Sequence, residues 1–80
     1  MWTIYSKNNC VYCDKAKFAL KDEHVEVKNI DMNREWFTEL LELNPQARTM
    51  PQIFRDGELV GGYEQLQQLI DQEKLKGLTL

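Results

Sequence analysis

The hydrophobic patterning of this 80-residue chain predicts an α/β domain. The expected architecture is a four-stranded mixed sheet with three helices, in the order β-α-β-α-β-β-α. Three observations carry that expectation. Short β-prone runs alternate with stretches of helical periodicity, the arrangement that produces strand–helix–strand units. Asp56-Gly57 stands between two apolar runs, a strong two-residue hairpin signal. Leu, Ile, Val and Phe supply 21 of the 80 residues, about 26%, above the roughly 20% below which a highly charged chain tends to disorder. One domain spanning 1–80 is expected, burying only about 60% of its unfolded surface.

The elements follow in order. Trp2–Ser6 is a short β-prone run, and Lys7-Asn8-Asn9 is a polar loop. From Val11 to about Glu23 the period becomes helical, with Tyr12, Ala16, Ala19 and Leu20 on one face. Val25–Ile30 is a second strand, and a crossover through the first helix should make it parallel to the first. Asp31 to Asn33 offers helix N-caps, and Trp36, Phe37, Leu40 and Leu41 mark the core face of a second helix ending near Asn44-Pro45. Gln52–Arg55 and Glu58–Val60 form the hairpin strands, and Gly61-Gly62 breaks the second of them. Tyr63, Leu66, Leu69 and Ile70 carry a third helix to about Lys74, with Leu75–Leu80 unassigned. His24 reads as a surface residue, and Glu39, Glu42, Asp71 and Glu73 as solvated helix faces.

Composition removes several function classes. Ten basic against thirteen acidic residues give a net charge of −3, the wrong sign for a binder driven by counterion release from nucleic acid. No apolar stretch approaches the ~20 residues needed to span a bilayer. Met1 leads directly into Trp2-Thr3-Ile4-Tyr5, without a charged or apolar leader. A soluble cytoplasmic protein is expected, with no nucleic-acid or membrane partner.

The two cysteines, Cys10 and Cys13, form a C-x-x-C pair. A structural bridge across so short a loop stabilises little, roughly 2 kcal/mol, and disulfide-held secreted domains carry more cysteines. A structural zinc site wants four ligands, and only His24 could add a nitrogen, so no metal is assigned. Redox chemistry remains. The pair sits after a strand and at the start of a helix, where backbone N–H groups lack intrahelical partners and the dipole is positive. A Cys10 thiolate there can accept from the N–H groups of Tyr12 and Cys13, which lowers its pKa below the ~8.5 of free cysteine. Cys13 lies one turn further in, on the same face and close enough to bridge. Cys10 is therefore the expected nucleophile and Cys13 the resolving thiol. Lys7 either adds positive charge or binds an anion, or is an ordinary solvated lysine. Tyr12 either covers the disulfide or belongs to the apolar helix face.

Three stretches together resemble the glutaredoxins, small members of the thioredoxin-fold superfamily, of the dithiol kind found in bacteria and phages. They are Tyr5-Ser6-Lys7-Asn8-Asn9-Cys10-Val11-Tyr12-Cys13 with Ala16-Lys17, then Thr49-Met50-Pro51-Gln52-Ile53-Phe54, then Gly61-Gly62. The resemblance covers nearly the whole chain and implies a thioredoxin-like (glutaredoxin) fold with a dithiol site. It implies glutathione contacts at Lys7, at Tyr12, at the backbone of Met50 beside a cis Pro51, and at the helix start around Gly62 and Tyr63. Thr49 and Gly61 support that site. Val11 departs from the family's usual proline, Met50 from its valine, and Tyr63-Glu64 from a small residue followed by aspartate. Tyr63 is bulky where a glutathione carboxylate would approach.

Physical chemistry bears on these positions separately. An X-Pro bond between two elements is a natural place for a cis peptide, although trans is the commoner form. The backbone groups of Met50 would then face solvent, where an extended peptide can pair with them. Free N–H groups after Gly61-Gly62 suit a carboxylate; a plain turn is the alternative.

The expected function is a glutathione-dependent dithiol–disulfide oxidoreductase acting on protein disulfides or glutathione mixed disulfides. Glutathione serves as co-substrate, no cofactor is tightly bound, and the chain acts as a monomer. Disulfide-containing proteins are the expected partners, with ribonucleotide reductase implied by the resemblance alone. The alternatives are a redoxin reduced by thioredoxin reductase that donates electrons to ribonucleotide reductase, an iron–sulfur carrier sharing a cluster between two chains, and an adaptor with incidental cysteines.

Overall fold

The computed structural model describes residues 1–78, with side chains described through Glu73. Its elements are β1 Trp2–Ser6, α1 Val11–Ala19, β2 Val25–Asn29, α2 Arg34–Leu43, β3 Gln52–Arg55, β4 Glu58–Gly61 and α3 Tyr63–Leu78. The fold class and element order are those expected. The sheet order is β2-β1-β3-β4. β1 and β2 run parallel, from Trp2 opposite Val25 to Ser6 opposite Asn29, as a crossover through one helix requires. β3 is antiparallel to both β1 and β4.

The two-residue period of β1 divides the core. Trp2 and Ile4 point to the face covered by α1 and α3, where they join Ala16, Leu20, Ile53 and Leu66. Tyr5 points to the other face, where it packs with Phe54, Leu40 and Ala47. The Tyr5 and Phe54 rings meet edge to face with centroids 5.6 Å apart, a favoured aromatic geometry. No helix among the described residues is long and apolar enough to cross a membrane.

The hairpin turn has Asp56 at φ 52° and Gly57 at φ 84°. Positive φ at both central residues makes a type I′ turn, whose twist matches that of the flanking strands. One strand repeat later the register slips: Phe54 faces Leu59 but Ile53 faces Gly61. Val60 is thus the extra residue of a β-bulge, which bends β4 towards the start of α3.

Several details differ from the sequence-based expectation. α1 ends at Ala19, not near Glu23, because Leu20 is already anchored in the core. Lys21 to Glu23 are then spent on turns that reach β2. β2 stops at Asn29, although the Ile30 N–H still bonds the Ser6 carbonyl at 2.8 Å. Gly61 lies inside β4, and α3 extends past Lys74 to Leu78, while residues 79 and 80 fall outside the described residues. Phe37 is 41% exposed rather than core. The cluster under α2, built on Tyr5 and Phe54, takes Leu40 and Leu41 from the helix and does not include Phe37. Glu39 and Glu73 are not simply solvated, since Glu73 pairs with Arg55 at 2.7 Å and Glu39 with Lys28 at 2.6 Å.

Glu39 also accepts a hydrogen bond from the Tyr5 hydroxyl, so β1, β2 and α2 meet in one polar network. Burial and then that carboxylate push the Tyr5 phenol above the ordinary tyrosine range. The Lys28 ammonium first, and the Tyr5 hydroxyl second, hold the Glu39 carboxyl below its usual value. A carboxyl with a depressed folded pKa adds stability above its unfolded value of about 4.3 and loses it as pH falls through the folded value. Glu39→Gln is therefore expected to be less stable than the parent near pH 6. In urea titrations the gap should close below about pH 4.3, and a gap independent of pH would refute this linkage.

Ser6 Oγ is a buried side-chain oxygen with no hydrogen-bond partner among the described residues. A buried polar atom left unsatisfied costs about 1–3 kcal/mol. Ser6→Ala is accordingly expected to hold or raise stability by up to about 1 kcal/mol. A loss of more than that in chemical denaturation would show that the hydroxyl has a partner in solution.

Candidate active site

The loop between β1 and α1 is pinned before it reaches the first cysteine. The Asn8 N–H bonds the Asp31 carboxylate at 2.9 Å, and the Asn29 side-chain amide donates to Asn8 Oδ1 at 2.9 Å. Asn9 then adopts φ 54°, a left-handed conformation that asparagine tolerates better than most residues. Asp31, one of the candidate caps of α2, is thus used here. Asn33 takes the cap by accepting from the Glu35 N–H.

Cys10 emerges from this turn as the N-cap of α1, with extended backbone at φ −117°, ψ 102°. Its Sγ accepts from the Cys13 N–H at 3.1 Å, occupying the place of a capping oxygen. Of the two donors expected, Cys13 makes the bond. Cys10 and Cys13 are joined as a disulfide with their Cα atoms 5.2 Å apart. Cys10 keeps 9% of its surface exposed and Cys13 none. Any partner must therefore reach the pair from the Cys10 side.

The second wall is the segment before β3. Met50-Pro51 is a cis peptide, and the Met50 carbonyl oxygen lies 3.7 Å from Cys10 Sγ. Gln52, buried beneath, donates through Nε2 to the Thr49 carbonyl at 2.7 Å and accepts from the Asn44 amide at 3.3 Å. Gln52 thereby fixes the turn that presents Met50. The sequence reading assigns it no such role, and the signal available is a polar residue directly before the apolar pair Ile53-Phe54.

The third wall is the start of α3. Gly62 is its N-cap, bonded through its carbonyl to the Leu66 N–H. The Gly62 N–H is taken by Gln65 Oε1 at 2.9 Å, one half of a capping box. The Gly62 N–H is thus engaged, and a glutamine three residues after the cap is the sequence signal for that bond. Gly61, at φ 127°, accepts only glycine comfortably, since a Cβ there would sit 2.9 Å from Gln65 Cγ. Gln65 thus fills the space beside both glycines.

These walls enclose an open groove of about 270 Å³ lined by Tyr12, Thr49, Met50, Pro51, Gly62, Tyr63, Glu64 and Gln65. Tyr12 is 57% exposed, so it lines the groove and does not join the apolar face of α1. Its ring lies tilted at 34° against Tyr63, with centroids 6.0 Å apart. Of the sequence-predicted site residues, Tyr12, Thr49, Met50, Pro51, Gly62 and Tyr63 line this groove, and the Cys10–Cys13 pair adjoins it where Cys10 Sγ meets the Met50 carbonyl. Gly61 supports the α3 wall from behind. Lys7 is exposed in the pinned loop and does not line the groove.

Comparison with known proteins bears on the family and the fold. The glutaredoxin family model matches residues 2–60. A glutaredoxin of Neisseria meningitidis is 35% identical over 79 residues, covering 95% of this chain and 92% of that protein. Mouse mitochondrial glutaredoxin-2 is 32% identical over 80 residues, covering 95% of this chain and 51% of its own length. The chain spans about half the length of such mammalian relatives. Among solved structures, a dithiolic glutaredoxin of Trypanosoma brucei brucei superposes with a TM-score of 0.77 at 27% identity, over 96% of this chain and 84% of the other. A buckwheat glutaredoxin–glutathione complex superposes equally well, TM-score 0.77, at 23% identity over 95% and 73% of the two chains, a likeness of fold.

Proposed function

The chain belongs to the glutaredoxin family, and from that premise we propose that it is a thiol–disulfide oxidoreductase with glutathione as its reductant. The observation that carries this reading is Cys10 at the cap of α1. Its Sγ faces the unpaired end of a helix, where a thiolate is favoured over a thiol, and it is the outer sulfur of the pair. With the pair reduced, Cys10 thiolate attacks one sulfur of a substrate disulfide, forming a mixed disulfide and releasing the other sulfur as a thiolate. Cys13 then attacks Cys10 Sγ, closes the internal disulfide and releases the second substrate thiol. Two glutathione molecules restore the dithiol and leave as glutathione disulfide.

The groove suits a glutathione moiety whose sulfur is linked to Cys10. An extended chain there can pair with the backbone of Met50, its carboxylate can approach the start of α3 near Gly62 and Tyr63, and Tyr12 offers an apolar wall. Lys7, exposed in the loop that leads to Cys10, adds positive charge there and can meet a carboxylate. Pro51, Thr49 and Gly61 set the shape of the walls.

The Gly62 N–H held by Gln65, together with the Tyr63 ring in the groove, favours a second reading. In it the protein takes electrons from thioredoxin reductase and passes them to ribonucleotide reductase or another disulfide protein. A coupled assay decides between them. NADPH oxidation with glutathione and glutathione reductase is expected to run at least about tenfold faster than with thioredoxin reductase, a difference of 1.4 kcal/mol in the barrier. The reverse order would establish the second reading. Alkylation of the reduced protein near pH 6, followed by peptide mapping, is expected to label Cys10 before Cys13. Preferential labelling of Cys13 would overturn the assignment of roles.

A further inference from the structure

Beyond the groove at the disulfide, a second groove of about 330 Å³ runs between α1 and α3, lined by Lys15, Phe18, Ala19, Tyr63, Gln67 and Ile70. The two grooves share Tyr63 as a common wall. Phe18 is 69% exposed, the most exposed aromatic residue described. Cations are interleaved with the rings: Lys15 Nζ lies 5.2 Å from the Tyr12 centroid and 5.9 Å from that of Tyr63, and Lys21 Nζ lies 4.4 Å from that of Phe18. Of the acidic groups nearby, Asp14 pairs with Lys17, Asp71 accepts from the Gln67 amide, and Glu64 lines the first groove beside Tyr63. Lys15 and Lys21 make no ion pair among the described residues.

We propose that this α1–α3 groove docks an acidic, apolar segment flanking the disulfide of a protein substrate. The inference rests on the oxidoreductase reading above and adds a substrate class to it. Two features favour that occupant over a second copy of this chain. The groove shares Tyr63 with the one beside Met50, whose carbonyl lies 3.7 Å from Cys10 Sγ, and Lys15 and Lys21 offer it positive charge whereas the chain itself is acidic overall. An apolar side chain fills the space beside Phe18 and Ile70, and flanking carboxylates meet Lys15 and Lys21. Phe18 lies eight positions after Cys10 along α1, ~12 Å at 1.5 Å per residue. An extended peptide covers that distance in about four residues at ~3.3 Å each, so the docked side chain lies about four positions from the substrate cysteine.

The test uses the Cys13→Ser protein, reduced, with two synthetic peptides whose central cysteine is activated as a 2-thiopyridyl disulfide. One carries Glu-Leu-Glu centred four residues to each side of the cysteine, the other Lys-Ser-Lys. Cys10 thiolate forms a disulfide with the peptide sulfur, the sulfur–sulfur bond to the pyridyl group breaks, and pyridine-2-thione leaves and is read by absorbance. The acidic peptide is expected to react about tenfold faster at low salt, within the range of electrostatic steering. Its advantage should shrink as salt is added. Lys15→Glu combined with Lys21→Glu should erase the preference, and Phe18→Ser should slow the acidic peptide severalfold. Neither change should alter the rate with neutral 2,2′-dipyridyl disulfide. Equal rates for the two peptides, or a preference that survives both variants, would overturn the docking groove while leaving the oxidoreductase reading intact. Failure of Cys10 to react with dipyridyl disulfide would overturn that reading and this one with it.

Discussion

Cys10→Ser is expected to abolish disulfide reduction outright, to the background of the uncatalysed reaction, whereas Cys13→Ser is expected to keep the first chemical step. The asymmetry follows from placement. Cys10 caps α1 and carries what exposed surface the pair has, while Cys13 is sealed inside the first turn. A serine at position 10 restores an ordinary helix cap, so the fold should survive and the lost activity can be assigned to chemistry. In Cys13→Ser nothing displaces substrate from Cys10 internally. A mixed disulfide should therefore accumulate and be visible by mass spectrometry, and glutathione should release it slowly. Measurable turnover in Cys10→Ser, or a trapped mixed disulfide on Cys13, would remove Cys10 from the nucleophile's role.

Ile53→Ala should have the largest effect on stability. Ile53 is fully buried in β3, between β1 and β4, and belongs to the cluster that α1 and α3 cover. Removing a buried isoleucine side chain to alanine costs about 2–5 kcal/mol through lost transfer energy and the remaining cavity. At about 0.05–0.15 kcal/mol per residue, the whole chain holds only ~4–12 kcal/mol. A single truncation thus removes a large share of the folding free energy. β3 also begins directly after Pro51, so loosening it loosens the Met50 wall of the groove. Val27→Ala is the matched control, since Val27 is 41% exposed and its truncation should change stability by less than about 0.5 kcal/mol. Urea unfolding of both variants provides the comparison. A loss below about 1 kcal/mol at Ile53 would mean that the core closes around the gap.

The hairpin at Asp56-Gly57, the parallel pairing of β1 with β2 and the cap position of Cys10 were all legible in the sequence. Each depends on local signals: a dipeptide suited to positive φ, a strand followed by a helix and another strand, and a C-x-x-C at a change of hydrophobic period. The likeness of three short motifs to glutaredoxins was legible for the same reason, and the family match agrees with it. Local pattern also identified Tyr12, Met50 and Gly62 as residues of interest, because each stands in or beside one of those motifs.

What only the tertiary structure decided is which of these residues meet, and on which side. Periodicity placed Tyr12 with Ala16 and Leu20, but α3 packs against α1 in such a way that Tyr12 lies outside, against Tyr63. It placed Phe37 in the core, but the cluster beneath α2 takes Leu40 and Leu41 and leaves Phe37 exposed. The capture of the Gly62 N–H by Gln65, the support of Thr49 by Gln52 and the pinning of Asn8 by Asp31 and Asn29 depend on side-chain rotamers and on elements distant in sequence. Hydrophobic period reports that a residue has an apolar side available to it. How much apolar surface the neighbouring elements present there is a property of the packed chain, and no local pattern encodes it.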